Sequence, residues 1–317
     1  MDDVEEHSRY VADTARLGAY AVALRAVIRP GDVVLDLGTG TGVLGLLAAQ
    51  MGATRVYAVD EGRISNIAQA GARNNALGVM TVIRGHSTDL DLPELVDVVI
   101  CDQAGPLGFA GNLVHSMHDA AERVLRPGGS AIPFALDLLV APISDAALRL
   151  QLDGWLARPH GIDLSFGHAW AVHHVYARPA AAVSALATPT IGMTLATTEA
   201  AELLVDYTAT ITIATSGQLD ALGCGWIAHL APSVTMSNWP GRDDMIDREI
   251  AALPLDHGVE VRPGDEVKTR IRGRTGSDLL SWSVTVTRPD TTDPLHDRQY
   301  STFLAAPLSQ LDLAELT

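Results

Sequence analysis

The stretch VLDLGTGTGVLG, residues 34–45, decides the fold class of this chain. An apolar strand runs into Gly38, Gly40 and Gly42, and an apolar helix follows them. Glycines at such a turn allow a tight bend and let backbone amides approach a bound ligand. The dinucleotide-binding pattern G-x-G-x-x-G needs its third glycine at position 43, which is Val43 here. The loop therefore favours a ligand that carries no pyrophosphate.

Two carboxylates accompany this loop. Asp36 lies in the strand before it, and Asp60 ends the next strand, VYAVD at residues 56–60. A carboxylate at the end of that strand can accept both hydroxyls of a ribose. The glycines, the two acids and the apolar helix together predict a binding site for S-adenosyl-L-methionine as the cofactor.

Apolar strands alternate with helices around the loop. A helix is predicted over residues 5–28, and the segments VVLDLG, VYAVD, VIRGH, VDVVICD and SAIPFALDLLVAP (the last at 130–142) are predicted strands. This alternation is typical of a parallel sheet covered on both faces. Beyond Val172 the strands alternate apolar and polar residues, as antiparallel strands do. The predicted fold class is α/β, a Rossmann-like domain followed by a β-rich domain.

The composition limits the partners. The formal net charge of −16 repels phosphate backbones, so no nucleic acid is expected, although a basic peptide is compatible with it. No apolar run reaches the roughly 18 residues of a membrane span, and the acidic N-terminus lacks the apolar core of a signal peptide. A cytoplasmic protein without membrane contact is predicted. Cys101 and Cys224 are predicted to be reduced, buried thiols, and no metal centre is predicted.

Residues 7–20, HSRYVADTARLGAY, resemble an N-terminal helix pattern of the protein arginine methyltransferases: a histidine, an aspartate six residues later, then R-x-x-x-Y. The resemblance implies that Arg16 holds the carboxylate of the cofactor's methionine part, and that helices in residues 1–30 close over it as a lid. An arginine suits this task because it offers a two-pronged fork to a carboxylate.

The resemblance continues through the Rossmann-like part, residues 31–133. RGHSTDLDLP, residues 84–93, is similar to the segment that borders the adenine, which implies that Ser87 and Thr88 lie there; the family usually has an acid at position 88. After RPGGSAIP at 126–133, the family has a β-barrel with a helical dimerisation arm. By resemblance, residues 134–317 form that β-barrel-like domain with the arm at about 144–161, and the chain is a homodimer.

The loop VICDQAGPLGFAGN, residues 99–112, departs from the family. Arginine methyltransferases carry two glutamates there, at positions that are Asp102 and Gly111 in this chain. Their Thr-His-Trp element, whose histidine supports the glutamates, corresponds to Ser237-Asn238-Trp239. Losing one buried charged pair costs a few kcal/mol, on the order of a hundredfold in rate. The expected substrate is therefore a small, neutral natural product rather than arginine. Related bacterial enzymes suggest indole C3 methylation with closure to a pyrroloindoline.

Asp102 is the predicted base for this reaction, with His7 as its first rival and His115, His118 and His229 as further ones. Tyr20 and Trp239 are predicted to stack on a flat substrate, and Phe109 is predicted to bind it as part of an apolar pocket formed by loop residues 104–111. Two alternatives remain open. One is a protein arginine methyltransferase with an altered clamp, and the other is a catalytically silent subunit that binds the cofactor and assists a partner.

Overall fold

The computed structural model describes residues 3–75, 78–199 and 203–303. Two helices come first, α1 (Asp3–Ala12) and α2 (Thr14–Val27). The sequence predicted one helix over 5–28, but Asp13 interrupts it. The Asp13 side chain accepts a hydrogen bond from the backbone N–H of Arg16 and so caps α2. The two helices therefore meet at an angle beside the cleft described below.

A five-stranded parallel sheet follows, in the order β3-β2-β1-β4-β5. Its elements run in the sequence β1 (Val33–Leu37), α3 (Val43–Gln50), β2 (Arg55–Asp60), α4 (Ser65–Asn74), β3 (Met80–Arg84), β4 (Val96–Cys101), α5 (Leu113–Arg123) and β5 (Leu125–Ile132). All five residues of β1 are buried, as expected for a central strand with helices on both faces. The carboxyl ends of β1, β2 and β4 meet at one edge of the sheet, and that edge carries the glycine loop, Asp60 and Asp102.

The predicted strand at 130–142 is two strands. β5 ends at Ile132, and β6 (Ala135–Ser144) belongs to a different, antiparallel sheet. Pro133 separates them, because a proline has no N–H to donate to a ladder. A continuous apolar pattern concealed this boundary.

Two antiparallel sheets make up the rest of the described chain. The larger has the order β7-β13-β11-β6-β8, with β12 paired to β11 and β9 paired to β6; the smaller has the order β10-β14-β15-β16. The elements are α6 (Ala146–Asp153), α7 (Phe166–Ala171), β7 (Tyr176–Pro179), β8 (Ser184–Ala185), β9 (Thr190–Ala196), β10 (Leu204–Thr212), β11 (Gly217–Ala231), β12 (Val234–Ser237), β13 (Glu249–Val261), β14 (Glu266–Arg274), β15 (Leu280–Thr287) and β16 (His296–Ser301). The structure thus combines a Rossmann-like parallel sheet with an antiparallel domain, as predicted.

The two parts share a hydrophobic core. Trp226, Leu230 and Met236 from the antiparallel part pack in the same buried cluster as the parallel sheet and α2. A second core lies between the two antiparallel sheets and contains Phe109 and Trp282. Cys101 and Cys224 are free and buried, as predicted. Among the described helices, none has the length and apolar character that a membrane crossing requires.

Candidate cofactor and acceptor cleft

The glycine loop has the backbone that only glycines adopt easily. Gly38, Gly40 and Gly42 have φ angles of 63°, 54° and 83°. A Cβ on Gly40 would lie 2.4 Å from the His7 ring, and one on Gly38 would lie 2.1 Å from the Gln103 amide. These two side chains therefore contact the bare backbone of the loop and form part of the cleft wall.

Asp36 lies beneath this loop and holds it in place. Its Oδ2 accepts hydrogen bonds from Thr39 Oγ1 at 2.6 Å and from the backbone N–H of Gly45 at 2.9 Å. The side chain is almost fully buried, and this burial raises the pKa of Asp36 to about 6. Asp36 therefore shapes the site from below, whereas the surface that faces a ligand is formed by other residues.

Asp60 lies at the centre of the cofactor side. Its Oδ2 accepts a hydrogen bond from the N–H of Gly40 at 2.9 Å, and its Oδ1 accepts one from Gly62 at 2.7 Å. Asp60 lines two adjoining cavities of about 390 and 250 Å³. The smaller cavity is also lined by Ser87, as the resemblance implied. Thr88 does not line it, and its hydroxyl pairs instead with the His86 ring at 2.7 Å.

Asp102 also lines the larger cavity, and three side chains donate hydrogen bonds to its carboxylate. Asp102 Oδ1 accepts from the Tyr20 hydroxyl at 3.0 Å, and Oδ2 accepts from Arg16 Nε and from Arg248 Nη2, the latter at 3.1 Å. Arg16, Asp102 and Arg248 have side chains only 6%, 10% and 12% exposed. A carboxylate placed between two guanidiniums is arranged to bind cations. Its predicted role as a base stays a prediction.

Arg248 is a residue that sequence reasoning missed. Its guanidinium carbon lies over the Tyr10 ring, 3.5 Å from the ring centre, while its Nη2 contacts Asp102. Its Nη1 is buried and hydrogen-bonds to none of the described residues. Tyr10 in turn donates its hydroxyl to Glu6, and burial raises the pKa of Tyr10 to about 12.

The N-terminal helices and the antiparallel domain are connected beside this residue. Asp13 Oδ2 accepts a hydrogen bond from the N–H of Asp247 at 2.9 Å, which fixes the backbone next to Arg248. Glu6 and Glu249 also line the larger cavity. Glu6, Arg248 and Glu249 were not predicted from the sequence, because each lies far along the chain from Asp102 and belongs to no recognisable motif.

The loop after Asp102 takes a different course from the one predicted. Its apolar side chains, Leu107 and Phe109, lie in the core between the antiparallel sheets and line a separate cavity of about 510 Å³. A Cβ on Gly111 would lie 2.9 Å from the Gln103 carbonyl oxygen, so a glutamate there requires a different loop backbone. Leu107 and Phe109 therefore pack in a core, and the described lining of the larger cavity includes Ala104 and Pro106 but neither of these two side chains.

Asn238, at the position of the family's histidine, has a structural role. It is fully buried; its Oδ1 accepts from the N–H of Trp226 at 2.7 Å, and its Nδ2 donates to the carbonyls of Pro106 at 3.1 Å and Glu249 at 2.8 Å. Asn238 thus joins β11, β13 and the loop after Asp102. It positions Glu249 and the loop through their backbones.

The remaining predicted residues have mixed placements. His7 lines both cavities. Tyr20 is fully buried behind Asp102, and Trp239 is 2% exposed in a core of the antiparallel part. His118 pairs with the carbonyl of Thr198, and His229 pairs with Asp137. His115 is exposed on α5. Neither cavity includes these three histidines in its described lining.

Comparisons with known proteins agree with this geometry. The model of the ribosomal protein L11 methyltransferase family (PrmA) matches residues 19–133. Protein arginine N-methyltransferase 6 of Xenopus laevis is 33% identical over 168 residues, which are 51% of this chain and 49% of that protein. A probable protein arginine N-methyltransferase 6 of Arabidopsis thaliana is 35% identical over 163 residues, 50% of this chain and 37% of that protein. The chain thus spans at most about half the length of these relatives.

Solved structures extend the likeness in fold. A Trypanosoma brucei PRMT1 enzyme–prozyme heterotetrameric complex with AdoHcy superimposes with a TM-score of 0.79 at 19% identity, over 93% of this chain and 97% of that one. Protein arginine methyltransferase 10 of Arabidopsis thaliana gives 0.76 at 19% identity over the same shares. Fold, site and family match define a class I S-adenosylmethionine-dependent methyltransferase. Within that class, about half of the chain is similar in sequence to protein arginine N-methyltransferases.

The cleft fits S-adenosylmethionine, the cofactor of this class. The glycine loop lines the larger cavity through Gly38 and Thr39, and Asp60 lies beside the loop as an acceptor for ligand hydroxyls. Arg16 lines the same cavity as a cation able to take a carboxylate.

Proposed function

We propose that this chain transfers the methyl group of S-adenosylmethionine to a nitrogen of a guanidinium-bearing substrate. One observation carries the proposal: the acceptor end of the cleft holds a guanidinium, that of Arg248, between the Asp102 carboxylate and the Tyr10 ring. A carboxylate at the edge and an aromatic ring at the face are the two groups that guanidiniums prefer. The names of the curated relatives, protein arginine N-methyltransferases, support the same substrate class.

The cofactor supplies an electrophilic methyl on a sulfonium centre. Asp60 would bind the ribose hydroxyls of the cofactor, and Arg16 would bind the carboxylate of its methionine part. Asp102 holds the substrate guanidinium in line. Holding two reactants in this way contributes roughly 7–11 kcal/mol to lowering a barrier, which makes orientation the main contribution here.

The clamp in this proposal is an altered one. Gly111 leaves the second carboxylate position of the loop empty, but Glu249 lines the same cavity with its backbone fixed by Asn238. We propose Asp102 and Glu249 as the pair that binds a substrate guanidinium once Arg248 moves aside. A pair of carboxylates matters because a guanidinium, with a pKa above about 12, enters as a cation. The carboxylates would offset the second positive charge that arrives with the methyl group, and one of them would take the proton that the methylated nitrogen loses, while the cofactor would leave as a neutral thioether.

The small neutral substrate has less support. The described lining of the larger cavity includes Glu6, Asp60, Asp102, Arg16 and Arg248, a set of charged groups that suits a charged acceptor. Tyr20 and Trp239, the rings predicted to stack on an indole, and Phe109 of the predicted apolar pocket are at most 2% exposed and lie in packed cores. Methylation of an indole is therefore the competing hypothesis in the assay described below.

The silent-subunit alternative has one observation in its favour. Arg248 pairs with Asp102 and covers Tyr10, the two groups that the proposal assigns to substrate. A chain whose own arginine stays there binds cofactor but no acceptor. The Trypanosoma brucei structure is of a complex between an enzyme and a prozyme, which shows that this fold occurs in such pairs.

A methyl-transfer assay separates the three functions. The chain is incubated with cofactor labelled on the methyl, and with an arginine-rich peptide, the same peptide with lysine in place of arginine, or a panel of tryptophan-derived small molecules. The proposal predicts label in the arginine peptide alone. Label only in a small molecule supports the indole substrate, and cofactor binding without any transfer supports the silent subunit.

We also propose that the chain forms a homodimer through the region around α6 and α7. α6 ends at Asp153, earlier than the predicted arm, and short turns continue from it. Leu148 and Leu152 are buried, whereas other large apolar side chains of the region are 43–76% exposed: Leu150, Trp155, Leu156, Ile162, Phe166 and Trp170. Several large exposed apolar side chains within one short region are typical of an interface.

A further inference from the structure

Three ligand-type side chains converge outside the cleft. Asp256 and His257 lie on β13, and His296 begins β16. Each offers one donor atom, and these atoms all lie within 4.8 Å of one another. Asp256 Oδ1 lies 3.0 Å from His257 Nδ1 and 3.9 Å from His296 Nδ1. β13 belongs to the larger antiparallel sheet and β16 is the edge of the smaller one, so the cluster connects the two sheets.

Tyr300 determines which nitrogen of His296 carries the proton. The Tyr300 hydroxyl donates to Asp256 Oδ1 at 2.9 Å, and its oxygen accepts from the backbone N–H of Asp256 at 3.1 Å. His296 Nε2 lies 3.0 Å from the same oxygen. Since the single hydroxyl proton is given to the carboxylate, Nε2 must donate. His296 Nδ1 is therefore left with an unprotonated lone pair.

That lone pair lacks a donor. The His296 side chain is 1% exposed, and Nδ1 has no hydrogen-bond partner within the described ranges of the chain. The carboxylate oxygen that it faces is also an acceptor. A buried acceptor that faces a second acceptor is stabilised by a cation between them.

We propose that Asp256, His257 and His296 bind a divalent transition-metal ion, Zn²⁺ by preference. Neutral imidazole and carboxylate are zinc ligands, and tetrahedral bonds of 2.0–2.1 Å separate neighbouring donor atoms by about 3.4 Å. The separations of 3.0 and 3.9 Å lie on either side of that value. The hydrogen bond from His296 Nε2 to Tyr300 is the outer support that metal-binding histidines usually have.

The surroundings allow an ion to enter. The His257 side chain is 58% exposed, so the site opens to solvent on one side. Arg298, with a side chain 63% exposed, is the nearest competing cation, at 3.8 Å from Asp256 Oδ2, and it is free to move toward water. Three protein ligands leave one position for a water. Because the ligands come from both sheets, the bound ion acts as a clip between them.

Cobalt provides the spectroscopic test, because tetrahedral Co²⁺ with nitrogen and oxygen ligands has visible absorption bands. The full chain, stripped of metal with a chelator, is titrated with Co²⁺ and then with Zn²⁺. We expect bands that saturate at one equivalent, loss of those bands as Zn²⁺ displaces Co²⁺, and a higher thermal midpoint with Zn²⁺. No bands, or bands that do not saturate at one equivalent, would overturn the proposal.

Variants locate the site. His257→Gln changes an exposed side chain, so its fold should persist, as circular dichroism would verify, and its Co²⁺ affinity should fall at least tenfold. Tyr300→Phe should weaken binding 10- to 100-fold, the usual effect of removing a support to a metal-binding histidine. His115→Gln, on exposed α5, is the matched control and should bind as the parent does. Equal affinity in the parent, His257→Gln and His115→Gln would show that the ion binds elsewhere.

Discussion

The two ends of the cleft are built in different ways. At the cofactor end, Asp36, the three glycines and Asp60 come from two neighbouring strands and the turn between strand and helix. At the acceptor end, Tyr10, Asp102 and Arg248 come from three distant parts of the chain and meet only in the folded protein. The cofactor end follows the family pattern and the acceptor end departs from it. The cofactor end is therefore built from local backbone geometry, whereas the proposed acceptor end depends on contacts between residues far apart in the chain.

The acceptor end should show the largest effect. Asp102→Asn keeps the size of the side chain and removes the charge that binds a substrate guanidinium, so kcat/KM for an arginine peptide should fall by about a hundredfold or more. Cofactor affinity, measured by calorimetry, should change much less. Asp243→Asn, an exposed aspartate, is the control. An unchanged kcat/KM in Asp102→Asn would contradict the proposal that Asp102 binds the substrate guanidinium.

The buried acid under the glycine loop should make stability depend on pH. Asp36 has a pKa of about 6 in the folded chain, above its ordinary value of 3.8, so the folded state binds the extra proton. Its charge therefore destabilises the fold above pH 6, and this cost, on the order of 3 kcal/mol, disappears as the pH falls toward 4. Asp36→Asn retains an acceptor for Thr39 and Gly45 without the charge.

The measurement is denaturant unfolding at pH 7 and pH 5 for the parent and Asp36→Asn. The parent should gain stability relative to the variant on going to pH 5, because protonation relieves the buried charge only in the parent. If the two chains had the same dependence on pH, Asp36 would not carry a raised pKa.

Removing Asp60 should affect the cofactor end alone. Asp60→Ala leaves the N–H groups of Gly40 and Gly62 without their acceptor and removes the ribose ligand, so cofactor binding should weaken by about 1–3 kcal/mol. Calorimetry with S-adenosylhomocysteine measures this, and a titration with NAD should show no binding to either chain. Retained cofactor affinity in Asp60→Ala, or tight NAD binding by the parent, would contradict the account of the glycine loop.

The smallest expected change is a factor of two in mass. Leu150→Asp with Trp170→Asp places two charges on the exposed apolar face, so the proposed homodimer should dissociate. Light scattering at micromolar concentration should report twice the chain mass for the parent and the chain mass for the variant. Lys268→Asp, which changes charge on a strand of the smaller sheet, should leave the dimer intact. A monomeric parent would contradict the proposed homodimer.

Sequence reasoning predicted the cofactor end well because its signals are local. Alternate glycines, a strand-end acid and apolar strands are read within a few residues, and the parallel sheet follows from their order. The direction of Phe109 was not predictable, since an apolar residue in a loop packs into whichever core is nearer. Arg248 was not predictable either, because it reaches Asp102 from 146 residues away and no spacing links them.

The acceptor slot itself is tested most directly by binding. The chain loaded with S-adenosylhomocysteine is titrated calorimetrically with an arginine peptide and with the same peptide carrying lysine, for the parent and for Arg248→Ala. If a substrate guanidinium binds between Asp102 and Tyr10, removal of the Arg248 guanidinium should tighten binding of the arginine peptide at least fivefold. Binding of the lysine peptide should stay weak. Equal or weaker binding of the arginine peptide to Arg248→Ala would contradict the claim that this slot is a guanidinium site.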